Sequence, residues 1–165
     1  MRKSTIFAAA VVAAFALSLG SEAFAQNYAP PVVVGARNWI TPADFEVRLR
    51  YVPTGGEMWK SVGVNFDVDG KGQEVLAYLS SVDGGQKAQV AFKPAGADYS
   101  YPGDGAKGRA VALQQPHELV VRVRGTLVNL LVDGEPSVAY RLPQGRAPGL
   151  MELITYDAAA EFLSF

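Results

Sequence analysis

The chain contains no cysteine and a single histidine, His117. Without cysteine there are no disulfides, no thiolate metal sites and no thiol to carry a lipid anchor. One histidine excludes multi-histidine metal sites and any nucleophile network that needs a second imidazole. Charge is sparse and balanced, with 15 Lys and Arg against 16 Asp and Glu. No block of like charge occurs, so nothing points to nucleic acid or to an anionic membrane surface as a partner. No stretch after residue 25 shows a capped helical period, and no repeat of fixed length is present.

One long uncharged apolar run exists, over residues 6–19. Arg2 and Lys3 precede it, Gly20 and Ser21 break it, and Ala23-Phe24-Ala25 places small residues at the two positions a signal peptidase reads. The run is shorter than the roughly 20 residues a spanning helix needs. The expectation is a cleaved secretory signal peptide over residues 1–25, with export to the periplasm or beyond the cell. Cleavage removes Arg2, Lys3 and Glu22 and leaves 13 basic and 15 acidic residues. An exported chain without disulfides must rely on its core. The remaining length suits one domain, which at that size buries roughly two thirds of its unfolded surface.

What is present is β pattern. Residues 26–43 form an extended lead-in, where Pro30-Pro31 argues for a tether and Val32, Val33 and Val34 for a short edge strand. Residues 45–52 alternate: Phe45, Val47, Leu49 and Tyr51 take one face, and Glu46, Arg48 and Arg50 the other. That is the period of a half-buried strand. Residues 53–58 read as a turn-rich loop. Residues 61–68 alternate again, with Val62, Val64, Phe66 and Val68 inward and the small set Ser61, Gly63, Asn65 and Asp67 outward. Strands over 73–80 and 86–92 follow. Residues 93–109 are a long irregular stretch containing Tyr99 and Tyr101, and loops of such length are often functional. Residues 117–142 hold three β-forming runs, separated by Arg124-Gly125-Thr126 and by Asp133-Gly134, a strong hairpin signal. The middle run, 128–132, is apolar enough for a strand covered on both faces. This stretch reads as the central meander. Two closing strands, 150–156 and 159–165, flank Asp157-Ala158. The fold class expected is all-β, an antiparallel sandwich or barrel over residues 44–165.

Several of these segments resemble a known family. Residues 118–138, reading ELVVRVRGTLVNLLVDGEPSV, and the end of the chain, PGLMELITYDAAAEFLSF, are similar to the late strands of concanavalin A-like lectin/glucanase sandwiches. Asp44-Phe45-Glu46-Val47 and Ser61-Val62-Gly63-Val64-Asn65-Phe66 match early strands of the same pattern. Among subfamilies, the bacterial 3-keto-disaccharide hydrolase-like domains are nearest. The family often carries Arg where this chain has Asp67, and Asn38-Trp39 only partly matches its Gly-Trp motif. The resemblance implies a jelly-roll β-sandwich whose concave sheet face binds glycans.

The candidate chemistry is set against that implication. Retaining glucanases use two carboxylates flanking a sugar, and in such sandwiches they share one strand at E-x-D-x-E spacing. No strand here has that spacing, and Glu152 stands alone. Asp67-Val68-Asp69-Gly70-Lys71-Gly72 looks superficially like a calcium loop, but Lys71 and Tyr78 occupy the fifth and twelfth positions, where an EF-hand needs oxygen ligands. The segment reads as a hairpin turn, and a loose calcium site on Asp67 and Asp69 is the one cofactor the sequence leaves open. His117 reads as a strand-end or surface histidine. Alternation with the valines inward predicts that Asn65, Asp67, Tyr78, Arg122, Arg124 and Asn129 share one outer face, with Trp59 and Tyr156 at its edges. Sugars are recognised by flat aromatic surface and planar hydrogen-bonding groups, which these side chains supply. Tyr99 and Tyr101 could cover that face. The functional expectation is an exported domain binding a carbohydrate or cell-envelope glycan. The alternatives are a hydrolase or lyase acting on a modified sugar, and a structural envelope module.

Overall fold

The computed structural model describes residues 32–37 and 40–165. The expected signal peptide, its cleavage site and Asn38-Trp39 lie outside the described residues. Among the described residues there are nine strands and no helix: β1 (Val32–Arg37), β2 (Asp44–Val68), β3 (Glu74–Ser80), β4 (Lys87–Lys93), β5 (Ala106–Gly108), β6 (His117–Arg124), β7 (Leu127–Val132), β8 (Glu135–Arg141) and β9 (Leu150–Ser164). Every pairing is antiparallel. Among the described residues no helix is long and apolar enough to cross a membrane.

The strands form two layers that share β2 and β9. The first layer runs β1, residues 150–156 of β9, residues 61–68 of β2, then β3, β4 and β5. The second runs residues 158–164 of β9, the first part of β2, then β6, β7 and β8. Inward residues from both layers make one core, including Leu49, Tyr51, Val62, Val64, Phe66, Leu79, Val121 and Leu130. The two halves of β2 meet across it: the Phe45 ring sits edge-on to Phe66 at 5.3 Å. At the far side Phe92 of β4 stacks on Tyr140 of β8 at 6.2 Å. This is the expected jelly-roll sandwich.

Three features depart from the sequence expectation. Residues 53–58 are no loop: β2 continues through them for 25 residues, and β9 likewise passes through Asp157-Ala158 for 15. Gly56 pairs with Ala158, and at this level the ladder slips between Gly56 and Ser61. Gly56 has φ 148, Asp157 has φ 48 and Lys60 has φ 46. A Cβ at Gly56 would come within 2.0 Å of the Asp157 carbonyl oxygen. The turn-forming residues therefore mark a shared bulge, where both strands bend from one layer into the other, and not a strand end.

Second, the lead-in contributes a full strand: β1 pairs with β9, longer than the three valines suggest. Third, the 117–142 meander exists, with Asp133 at φ 51 in its hairpin turn, but it makes one side of the second layer, with β8 at its end. The hub is β2. Nor is β7 covered on both faces, since Asn129 and Leu131 are half-buried. The strands covered on both sides are β3 and β4, buried at nearly every position.

Candidate functional site

Alternation along the first layer puts Ser61, Gly63 and Asn65 of β2 on its outer face. Cross-strand register places Glu152, Ile154 and Tyr156 of β9 on one side of them and Leu76, Tyr78 and Ser80 of β3 on the other. Gln89, Ala91 and Lys93 of β4 continue the rows. Gly63 lies between Ile154 and Tyr78, and a Cβ there would fall 2.6 Å from the Tyr78 Cβ and 2.2 Å from the Ala77 carbonyl oxygen. Any side chain at this point would push β3 away from β2.

The floor of the face is a small apolar cluster of Leu76, Tyr78, Ala91 and Ile154, with Tyr99 packed against it. The Tyr78 hydroxyl donates to Gln89 Oε1 at 2.7 Å. Asn65, only 2% exposed, donates through Nδ2 to Glu74 Oε2 at 2.6 Å and to Glu152 Oε2 at 3.3 Å. Its Oδ1 is buried and receives no hydrogen bond. Lys93 Nζ lies 3.8 Å from Glu74 Oε1 and 5.5 Å from the centre of the Tyr99 ring. Tyr99 and Tyr101 pack at 5.9 Å with their planes tilted by 36°. Burial, and then the neighbouring Glu74 carboxylate, raise the Tyr99 phenol above its ordinary pKa.

The long loop after β4 delivers the tyrosines because it is pinned to that strand. Ser100 and Phe92 exchange both backbone hydrogen bonds, at 2.8 and 3.1 Å, and the Val90 amide donates to the Gly105 carbonyl at 2.8 Å. The loop thus lies along β4, with Tyr99 packed on the apolar cluster.

The structure divides the residues predicted to share one surface. Asn65 and Tyr78 are together, and Tyr156 joins them, opposite Ser61 in register. Trp59 stands half-buried next to the bend, where its carbonyl accepts hydrogen bonds from Ser80 Oγ at 2.5 Å and Ser61 Oγ at 3.3 Å. Arg122, Arg124 and Asn129 are on the other side of the molecule. They belong to β6, which pairs with the first half of β2, and to β7 beside it, and inward valines on opposite layers send outward side chains in opposite directions. There Arg122 pairs with Glu46, Arg124 lies 3.7 Å from Asp44, and Asn129 sits opposite Arg122.

Asp67 is corrected most sharply. It is fully buried at φ 56, and it meets Arg146 in a two-pronged pair: Nε to Oδ2 at 2.6 Å and Nη2 to Oδ1 at 2.8 Å. The Thr41 hydroxyl donates to the same Oδ1 at 2.5 Å. Its oxygens are taken up inside the protein and face no ligand. Asp69 Oδ1 accepts the Lys71 and Gln73 amides at 2.9 and 2.8 Å, so this carboxylate closes a hairpin turn. The two do not converge on a calcium site. His117 is a strand-end histidine, the first residue of β6, but it is buried and not on the surface, with Nδ1 2.8 Å from Asp133 Oδ2 and Nε2 3.1 Å from the Ala112 carbonyl.

Sequence reasoning missed Glu74, Gln89 and Lys93, and treated Glu152 as isolated. Glu152 and Glu74 come from strands on either side of β2, and Asn65 joins them. The signal would have been the sheet order β9-β2-β3, which residue spacing along one strand cannot contain.

No protein-family model and no curated protein matches the sequence. Solved structures match in shape. The carbohydrate binding module CBM66 from Bacillus subtilis superposes with a TM-score of 0.62 at 16% identity, over 73% of this chain and 72% of that one. A prokaryotic β-1,3-1,4-glucanase (lichenase) from a mouse hindgut metagenome gives 0.53 at 14% identity, over 75% of this chain and 57% of that one. Sheep galectin-11, solved with glycerol, gives 0.52 at 11% identity, over 78% and 96%. At these identities the likeness is one of fold: the chain has the jelly-roll β-sandwich architecture of these proteins.

Proposed function

We propose that this protein is an exported carbohydrate-binding sandwich that holds a glycan on the outer face of its first layer. The observation that carries this is the Asn65 carboxamide held between Glu74 and Glu152 beside the Tyr99–Tyr101 pair. Planar acceptors and an aromatic surface on one sheet face are the groups that sugar recognition requires. The shared fold with a carbohydrate binding module and a galectin supports the reading. The basic, apolar and small-residue regions of residues 1–25 support export. The ligand is then an extracellular or cell-envelope glycan.

The test is a glycan array followed by calorimetry. Glu152→Gln and Tyr99→Ala are expected to lower affinity at least about tenfold, the equivalent of about 1.4 kcal/mol, with an unchanged melting curve for Glu152→Gln and a lowered one for Tyr99→Ala, which also loses packing on the apolar cluster. Arg124→Ala, on the opposite face, is expected to bind as the parent does. No binding to any glycan at millimolar concentration overturns the reading.

One observation favours a second reading. Glu74 and Glu152 contact a single amide nitrogen, so two carboxylates stand close together on a sheet face, as glycoside hydrolysis requires. The resemblance to 3-keto-disaccharide hydrolase-like domains agrees with this. Release of reducing sugar that disappears in Glu74→Gln would establish it.

A further inference from the structure

The ligand's charge can be inferred from the hydrogen-bonding inventory of the same face, an inference that rests on the binding reading above. The groups gathered around Asn65 are mostly acceptors: the Glu74 and Glu152 carboxylates and the unpartnered, buried Asn65 Oδ1. The donors are fewer. Asn65 Nδ2 is spent on the two carboxylates, and the Tyr99 hydroxyl is buried and makes no hydrogen bond. Among the residues whose side chains are described, Lys93 is the one cation beside the cluster, on the Glu74 side and 3.8 Å from it. The other lysines on this side are spoken for or remote. Lys60 pairs with Asp83 at 2.9 Å, and Lys87 sits opposite Ser80, six residues along β4 from Lys93, or about 20 Å at strand rise. Among the described residues no cation lies within ion-pair reach of Glu152. With two carboxylates against one ammonium, the centre of the face is net negative.

We propose that this face selects glycans free of negative charge, favouring a protonated amino sugar over a neutral one and rejecting uronates, with Glu152 as the discriminating residue. A ligand hydroxyl or ammonium can donate to the half-buried Glu152 carboxylate. A ligand carboxylate brought to the same place meets like charge with no cation to offset it, and like-charge juxtaposition is among the most effective means of excluding a ligand.

Three oligosaccharides of matched length decide it by calorimetry on the whole protein: a glucosamine oligomer below the pKa of its amine, a glucose oligomer, and a glucuronate oligomer. The expected order is amino, then neutral, then acidic, with about tenfold or more between the first and the last. The amino-sugar preference should shrink as salt rises. Glu152→Gln should bring the three affinities within about threefold of one another. Glucuronate binding as tight as glucose binding overturns the selection and leaves the binding site standing. Preserved selectivity in Glu152→Gln removes the role given to that residue. If none of the three binds, nor any glycan on an array, the binding reading fails and this inference with it.

Discussion

The two outer faces of the sandwich share the strand β2 and treat charge in opposite ways. On the second layer β2 presents Glu46 and Arg48, which pair with each other and with Arg122 and Glu118 in solvent. The Arg124 side chain there is 79% exposed. On the first layer the same strand presents Ser61, Gly63 and Asn65, all short, while longer residues stand on β3 and β9 at either side. The carboxylates of Glu74 and Glu152 lean over Asn65, and the row is recessed. Side-chain length on the central strand thus decides whether a sheet face becomes a solvated charge mesh or a half-buried polar cluster. Ion pairs of the first kind contribute little energy. Polar groups of the second kind are held in place and retain unmet hydrogen-bonding capacity.

The largest effect should come from breaking the element that ends the recessed row. Asp67 follows Asn65 on β2, but its left-handed backbone turns it into the protein, towards Arg146. The guanidinium also donates to the carbonyls of Ala43, Gly125 and Pro42, and lies 5.3 and 5.6 Å from the Phe45 and Phe66 ring centres. It ties three separate loops to the core. Arg146→Met leaves a buried carboxylate without its counter-charge and with only the Thr41 hydroxyl as a donor, and breaking such a buried pair typically costs about 3–5 kcal/mol. Urea denaturation should show that loss. A change under 1 kcal/mol would place Asp67 among the solvated charges of the second face.

A smaller effect separates core and first face from second face by pH. Tyr51 is fully buried, and burial, then the charge of Asp133, raises its phenol above the ordinary 10.0. Tyr99 is raised in the same sense. In the unfolded chain both ionise near pH 10 while the folded forms stay protonated, so the native state holds more protons and stability falls as pH rises above that point. The slope is about 1.4 kcal/mol per pH unit for each such tyrosine. Melting curves between pH 9 and 11, run on the parent, Tyr51→Phe and Tyr99→Phe, should show the alkaline slope reduced in each variant.

The fold was legible because period-two alternation is local. The inward residues of β2, β3, β4 and β6 can be read from the chain itself. The bend was hidden because Gly55-Gly56 and Asp157-Ala158 signal a change of direction, and a bulge and a loop use the same residues. The site was half legible. Asn65 and Tyr78 follow from alternation, but which outward residues share a side depends on which layer a strand joins. Since β2 belongs to both, Asn65 and Glu46 point to opposite sides of the molecule, and Arg122 goes with Glu46. Asp67 eluded alternation for a different reason: one positive φ at the end of a strand redirects a side chain that the period assigns outward.

The smallest expected effect lies on the second face and follows from its exposure. The Arg122 hydrogen bond, assisted by Arg48, holds the Glu46 carboxyl below its ordinary 4.5. A depressed carboxylate stabilises the fold above the unfolded value, and that contribution is lost as pH falls through the folded one. The window therefore lies below about pH 4.5, opposite in direction to that of the tyrosines. Solvent screening limits the pair to within about 1 kcal/mol. Arg122→Ala should lower stability at neutral pH by no more than that, flatten the acid slope, and lose most of its effect in high salt. It should leave glycan affinity untouched, because no side chain of this face reaches Asn65. If Arg122→Ala weakened glycan binding as strongly as Glu152→Gln, the division of the molecule into one binding face and one solvated face would be wrong.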